Sequence, residues 1–322
     1  MGVFDRLTPD LVVSCAEQAL GMPFGGLTIP LPSYINRVYE IENSEHRRFV
    51  IKFYRPGRWP AAAIQEEHRF VLACEAADIP VIAPLRLQTT GTLGCCDNLF
   101  SFAIFPKRSG RPLEIREPED WRRLGMLLAR MHLSGDTLTI RHRTVFTPDR
   151  ATRQAIENLL NGDFISSRPL RENFHRTAFR LLDRLLDAFE RVELTVLHGD
   201  CHCGNILDRP DEGMMLIDFD DMLIGPAVQD LWLLLPDYAP RCQEELELLL
   251  EGYEMLRDFD RRTLKLIEPL RAMRMLYFLD WCSRQIGDYQ FQRLYPDWGS
   301  DNFWRREIGD LNQQLQIIQE TL

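Results

Sequence analysis

Asp200, Asn205 and Asp218 carry the chemistry most legible in this chain. They stand in the runs His198-Gly199-Asp200-Cys201-His202-Cys203-Gly204-Asn205-Ile206-Leu207 and Ile217-Asp218-Phe219-Asp220-Asp221. Asn205 follows Asp200 by five positions and Asp218 follows it by eighteen. One carboxylate can accept the proton of an attacking hydroxyl, while an amide oxygen and a second carboxylate hold a divalent cation. Phosphoryl transfer asks for these parts, because it needs an oriented nucleophile and neutralised phosphate charge. Thr195-Val196-Leu197 reads as a short strand leading into His198-Gly199-Asp200, and a turn around Pro210 to Gly213 leads to a second short run, Met214-Met215-Leu216-Ile217, that stops at Asp218, so two strand ends deliver carboxylates to one place.

The elements that must oppose this constellation lie upstream. Arg37-Val38-Tyr39-Glu40-Ile41 and Arg48-Phe49-Val50-Ile51-Lys52-Phe53 flank Asn43-Ser44-Glu45-His46 and read as a β-hairpin with Lys52 near its end. From Pro60 to Asp78 the apolar spacing is helical, so a glutamate there, Glu66 or Glu67, can face the sheet and pair with Lys52. Extended segments follow around Val81 to Leu87 and Leu99 to Phe105. The second stops at Phe105-Pro106, since proline lacks the ladder donor. A hinge placed there separates lobes 1–105 and 106–322, with Phe105 against the nucleotide.

Beyond the hinge the pattern turns helical. Glu119 to His132 has a one-sided apolar face after Pro118, Phe179 to Phe189 is amphipathic, and the chain after Gln229 reads mostly as helix. His142 to Arg176 is polar and weakly periodic, either a mobile insertion or a short irregular helix pair. No repeat or low-complexity tract is present.

Composition excludes several classes. A chain of 322 residues, 45% hydrophobic and 27% charged, has the make-up of a folded globular protein. With 38 basic against 48 acidic residues the net charge is −10, which opposes phosphate-neutralising nucleic-acid binding. Arg141 to Arg143 and Arg168 to Arg176 read as solvated faces. No apolar run approaches the roughly 20 residues of a membrane helix, and Met1 to Asp10 lacks a signal-peptide core. The eight cysteines read as reduced thiols, Cys95 and Cys96 included, which points to the cytoplasm. Cys201-His202-Cys203 lacks the paired spacing of a structural zinc site.

The order of Asp200, Asn205 and Asp218 is similar to that of protein kinases, and their loop resembles the His-Gly-Asp-x-His-x-x-Asn form of aminoglycoside and choline kinases. Ser33-Tyr34-Ile35-Asn36-Arg37-Val38-Tyr39, Val50-Ile51-Lys52-Phe53-Tyr54-Arg55-Pro56, Gly225-Pro226-Ala227-Val228-Gln229-Asp230-Leu231-Trp232 and Glu268-Pro269-Leu270-Arg271-Ala272-Met273-Arg274 resemble the bacterial stress response kinase A family over nearly the whole chain. The resemblance implies an α+β, bilobal protein-kinase-like fold with a small β-rich N-lobe and a larger, mainly helical C-lobe. It further implies a cytoplasmic Ser/Thr protein kinase of envelope and oxidative stress survival, using ATP and Mg2+. Asp200 falls on the family's active-site aspartate, Asp218 on a second essential one, Asn205 on a metal ligand and Ser33 at the ATP site.

Two departures bear on the acceptor. No Gly-x-Gly-x-x-Gly loop precedes Lys52, so Ser33 to Arg37 must cover the phosphates through side chains such as Ser33 and Asn36 and through backbone N–H groups. Asp220 stands where a glycine would follow Asp218-Phe219, and twelve positions from Asp218 to Asp230 leave no room for a long activation segment. The leading expectation is a monomeric kinase for a protein Ser/Thr acceptor. A small-molecule kinase for amino alcohols, sugars or aminoglycosides is the alternative, and a nucleotide-binding regulator without turnover is a third.

Overall fold

Thr8 starts the first helix by accepting from the Leu11 N–H through its hydroxyl, Pro9 supplies a fixed first-turn φ, and Gly21 ends it at φ 65°. In the computed structural model, which describes residues 3–88, 91–209 and 212–321, the chain continues from α1 (Pro9–Leu20) to β1 (Phe24–Leu31), β2 (Arg37–Asn43), β3 (Arg48–Phe53), α2 (Ala61–Ala76), β4 (Gly94–Cys96), β5 (Phe100–Pro106) and β6 (Arg111–Pro112). It then runs through α3 (Pro118–Asp136), α4 (Arg153–Asn161), α5 (Arg168–Ala188), β7 (Thr195–Leu197), β8 (Ile206–Arg209), β9 (Gly213–Leu216) and β10 (Leu223–Gly225). Helices α6 (Val228–Trp232), α7 (Gln243–Glu254), α8 (Ile267–Ser283), α9 (Tyr289–Leu294) and α10 (Asp301–Thr321) complete it.

These elements divide into two compact units. The first holds Met1–Arg143, Val196–Met222 and Gln243–Asp258. Its antiparallel sheet has the order β1-β2-β3-β5-β4, with Lys52 on β3 opposite Val38 of β2 and Ala103 of β5. Strand alternation sorts β3 by function. Phe49, Ile51 and Phe53 join a buried cluster with Val12 and Ala16 of α1, so Val50 and Lys52 point to the other face. Burying a side chain such as Phe53 contributes about 1.5–3 kcal/mol.

Further along this unit, α3 and α7 pack through reciprocal glycines. A Cβ on Gly125 would come 2.0 Å from Leu249 O, and one on Gly252 would come 1.9 Å from Arg122 O. The hairpin β8–β9 pairs Ile206 with Leu216, next to β6. Pro210 and Asp211, in the expected turn between them, lie outside the described residues.

The second unit holds Thr144–Thr195, Leu223–Cys242 and Phe259–Leu322. The polar stretch left open by the sequence is helical here, with a π-turn at Pro148–Thr152, then α4 and the start of α5. Asn158 on α4 donates to Asp280 on α8 (3.0 Å), and the indole N–H of Trp304 on α10 donates to Phe164 O (2.7 Å).

Two expectations are corrected. Cys15 and Cys96 form a disulfide, with Cα atoms 6.1 Å apart, tying α1 to β4, so the eight cysteines are not all thiols. Arg143 is no solvated residue but is buried, whereas Arg168 and Arg176 are exposed as expected. Val81 to Leu87 is extended, as expected, and makes isolated bridges outside the named strands. It makes single contacts such as Leu85 N to Ile104 O (2.7 Å), and Pro80 and Pro84 lack the donors that a ladder needs. Among the described residues no helix is long and apolar enough to cross a membrane.

Candidate active site

Lys52 is delivered to the site by the alternation of β3, and Asp218 by the end of β9. Their charged atoms meet, with Lys52 Nζ 3.0 Å from Asp218 Oδ1. Asp218 holds a left-handed backbone at φ 60°, a conformation that aspartate tolerates better than most side chains. Its side chain is 56% exposed, whereas that of Lys52 is 10% exposed. Burial draws the Lys52 pKa down, yet the carboxylates of Asp218, Asp220 and Glu67 more than offset this and hold it above the ordinary lysine value.

The loop before Asp218 is fastened by backbone and imidazole. His198 Nε2 donates to Ile217 O (2.8 Å), its Nδ1 accepts from Asp200 N (3.4 Å), and its ring packs on Phe219. Ile217 N donates to Asn205 O (3.0 Å), which brings Asn205 beside Asp218 in the backbone ladder. The Asn205 Nδ2 donates to Asp200 O (2.9 Å), fixing which end of the amide carries the oxygen. His202 stays within the loop, accepting from Gly204 N at Nδ1 (3.0 Å), with Nε2 3.6 Å from Asp200 Oδ2.

A cleft of about 550 Å³ opens beside Lys52. Ser33, Asn36, Lys52, Glu67, Phe105 and Asp218 all line it, with Val38, Val50, Ile82 and Ile217 giving an apolar wall. Asp200 and Asn205 are not among its described lining residues. Asn36 is engaged by protein at both ends of its amide: Oδ1 accepts from Arg55 N (3.1 Å) and Nδ2 donates to Asp220 Oδ2 (3.2 Å).

The helix glutamates take partners other than the one expected. The ion pairs described for Lys52 run to Asp218 and, at 3.4 Å, to Asp220 Oδ1, the latter without hydrogen-bond alignment. Glu67 instead accepts from Arg143 Nη2 (2.6 Å) and from the Tyr54 hydroxyl (3.3 Å). Burial pushes its carboxyl up, against the pull of Lys52 and Arg143. Glu66 accepts from the backbone N–H groups of Arg141 (2.8 Å) and His142 (2.9 Å) and does not line the cleft.

Sequence reasoning missed four residues of this cluster: Arg58, Arg143, Asp220 and Asp221. Arg58 bonds the carboxylates of Asp220 and Asp221 through its two terminal nitrogens. Burial opposes the charge of Asp220, yet Lys52, Arg58 and Arg143 hold its pKa at about 2. Burial raises Asp221, where the charge of Asp200 is also felt. The sequence signal for Asp220 and Asp221 is the cluster of three aspartates at 218, 220 and 221, in which Asp220 also stands where a glycine would follow Asp218-Phe219.

The chain matches the phosphotransferase enzyme family over residues 28–267. A relative from Shigella flexneri named stress response kinase A is 37% identical over 319 residues, covering 98% of this chain and 95% of the relative. The Salmonella typhimurium LT2 protein named serine/threonine protein kinase RdoA is 34% identical, again covering 98% of this chain and 95% of the relative. Among solved structures, the amicoumacin kinase hAmiN in complex with AMP-PNP, Ca2+ and Ami superposes with a TM-score of 0.73 at 16% identity, covering 98% of this chain and 94% of that one. The chain therefore belongs to the phosphotransferase enzyme family, in its aminoglycoside- and choline-kinase-like branch, and within it to the stress response kinase A group. Its fold is the α+β, bilobal kinase-like one, with an antiparallel sheet in the N-lobe and a helical C-lobe.

Proposed function

We propose that this protein transfers the γ-phosphate of ATP to a serine or threonine hydroxyl of a protein, with Mg2+ as its metal. The observation that carries the proposal is the meeting of Lys52 and Asp218 at 3.0 Å, across 166 positions of sequence, in a cleft lined by the expected nucleotide residues. In this reading residues 1–105 form the nucleotide lobe and 106–322 the catalytic and substrate lobe. Val38, Val50, Ile82 and Phe105 take the base, and the turn at Ser33 to Asn36 covers the phosphates. Lys52, kept protonated by its carboxylate neighbours, holds phosphate oxygens, and Asp200 orients the acceptor hydroxyl and takes its proton.

The donor set fits a hard cation. Asn205, with its amide nitrogen spent on Asp200 O, has oxygen as its other donor, and Asp218 presents a largely exposed carboxylate. Among the described residues no three His, Cys, Asp or Glu side chains gather into a ready-made metal site. Asn205 and Asp218 would hold the cation through their side-chain oxygens, the kind of donor Mg2+ prefers. When bound, the cation neutralises phosphate charge.

The protein acceptor and the stress role are supported by the names of the relatives, stress response kinase A and serine/threonine protein kinase. With the Cys15–Cys96 disulfide in place, the cysteine argument for a reducing compartment lapses, and a cytoplasmic location rests on the family resemblance. A small-molecule acceptor is the second reading. It is favoured by the short path from Asp218 through a 3-10 turn and β10 to α6, which lacks a peptide-docking activation segment, and by the likeness to an amicoumacin kinase.

The test is γ-phosphate transfer from labelled ATP with Mg2+, comparing the native protein with Asp200→Asn. Acceptors are the protein itself, a generic basic protein, and a panel of amino alcohols, sugars and aminoglycosides. Label on serine or threonine that vanishes in Asp200→Asn while nucleotide binding persists is the expected result. Label on a small molecule alone moves the function to the second reading, and transfer undiminished in Asp200→Asn removes Asp200 from the chemistry.

A further inference from the structure

We propose that Arg143 is the positioning residue of this site, a single buried guanidinium that sets the turn after Asp218 against helix α2. Its side chain is fully enclosed and its donors are spread over three acceptors on two elements. Nε donates to Ala63 O (2.9 Å) and Nη2 to Glu67 Oε2 (2.6 Å), both on α2, while Nη1 donates to Asp220 O (2.6 Å). The guanidinium Cζ lies over the Trp59 ring, 4.4 Å from its centroid. A planar fork that donates in fixed directions holds geometry in a way that a lysine ammonium cannot.

The consequence for Asp218 is direct. Asp218 sits in a left-handed conformation at the mouth of the turn Phe219–Asp221, and Met222 N closes that turn on Phe219 O (2.9 Å). Arg143 grips the carbonyl in the middle of it. Arg143 also occupies Glu67 Oε2, while the ion pairs described for Lys52 run to Asp218 and Asp220. The arginine thus holds α2 and the turn in one register while the lysine stays directed at the cleft. This inference rests on the reading of Lys52 and Asp218 as phosphate and metal residues.

The test compares Arg143→Lys, which keeps charge and loses the fork, with the native protein, and it has two independent arms. In the nucleotide-free protein, hydrogen exchange at the Met222 amide is expected to rise at least about tenfold while amides of β2 and β3 hold. In transfer assays kcat is expected to fall at least about tenfold, with the ATP KM changing far less, since small misplacements of reacting groups cost rate first. Native exchange at Met222, or native kcat, overturns the proposal. The double variant Arg143→Met/Glu67→Gln, which leaves no unpaired buried charge, stands in if Arg143→Lys does not fold. It is expected to show the same loosened turn and lowered kcat, and a double variant with native kcat would reduce Arg143 to a counter-charge and overturn positioning. A native protein that transfers no phosphate counts against the kinase reading instead, and the exchange arm then decides Arg143.

Discussion

Lys52 Nζ stands between two carboxylates of one turn, 3.0 Å from Asp218 Oδ1 and 3.4 Å from Asp220 Oδ1, and the two aspartates differ in what surrounds them. Asp220 is buried among three cations and Asn36, whereas Asp218 is largely exposed. One carboxylate therefore anchors the lysine from within the protein while the other presents toward the cleft.

Lys52→Met should lower kcat/KM for ATP by at least about 100-fold, equivalent to about 2.7 kcal/mol of lost transition-state stabilisation. It should also raise the pKa of Asp220, which now stands at about 2 because of Lys52, Arg58 and Arg143 acting against burial. The sign follows from a depressed carboxyl. Its stabilising contribution is complete above the ordinary value of 3.8 and is lost as pH falls through about 2 in the native protein. Steady-state kinetics on ATP, paired with acid unfolding of both proteins, measures the two effects. A variant with native kcat/KM would remove Lys52 from phosphate binding.

His68 gives the protein an acid-sensitive core. Buried on α2, it meets the Tyr54 hydroxyl at Nε2 (2.9 Å) and Thr92 Oγ1 at Nδ1 (2.8 Å). Burial, reinforced by Lys52 and Arg143, pushes its pKa down to about 3. Between about 3 and the ordinary value of 6.5 the unfolded chain binds a proton that the folded one refuses, so stability rises with pH across that window. It is complete above pH 6.5 and falls on acidification by up to about 1.4 kcal/mol per unit, reaching a loss of about 2 kcal/mol by pH 5. His68→Gln should flatten this dependence. Urea midpoints at pH 7 and pH 5 measure it, and equal losses in both proteins would assign the acid sensitivity elsewhere.

The parts of the site legible in sequence were those carried by spacing along one stretch of chain. The strand ends before Asp200 and Asp218, the Lys52 hairpin from Arg37 to Phe53 and the glutamate-bearing helix are present as read, since each follows from local alternation or period. The partner choices were not legible. Whether Lys52 meets Glu67 or Asp218, and whether Arg143 is solvated or enclosed, depends on contacts 76 to 166 residues apart in sequence. The run Arg141-His142-Arg143 gives no local cue, because Arg141 and His142 are exposed and Arg143 is buried. Likewise Cys15 and Cys96 are separated by 81 positions, and nothing in their neighbours marks them as a pair. Helix α1, by contrast, carries ordinary local signals, with Thr8-Pro9 at its start and Gly21 at its end.

Reduction of the Cys15–Cys96 disulfide should loosen α1 from the sheet. The bridge closes a loop across 81 positions, and in the chain-entropy account a closure of that length restricts the unfolded chain by about 4–5 kcal/mol. Both cysteines are buried within the cluster that includes Ile51 and Phe53, on the face of β3 opposite Lys52. The thiols left by reduction still fill that space, so the loss should fall on stability and not on packing. Cys15→Ser with Cys96→Ser should reproduce the effect of a reductant, and neither treatment should greatly alter ATP KM, because the cleft lies on the other face of the sheet. Non-reducing peptide mapping locates the bridge, and denaturant unfolding with and without dithiothreitol measures its worth. Equal unfolding free energies for the bridged and reduced protein would mean that contacts of α1, such as Gln88 N to Ala19 O (2.9 Å), already restrict the chain as strongly as the bond does.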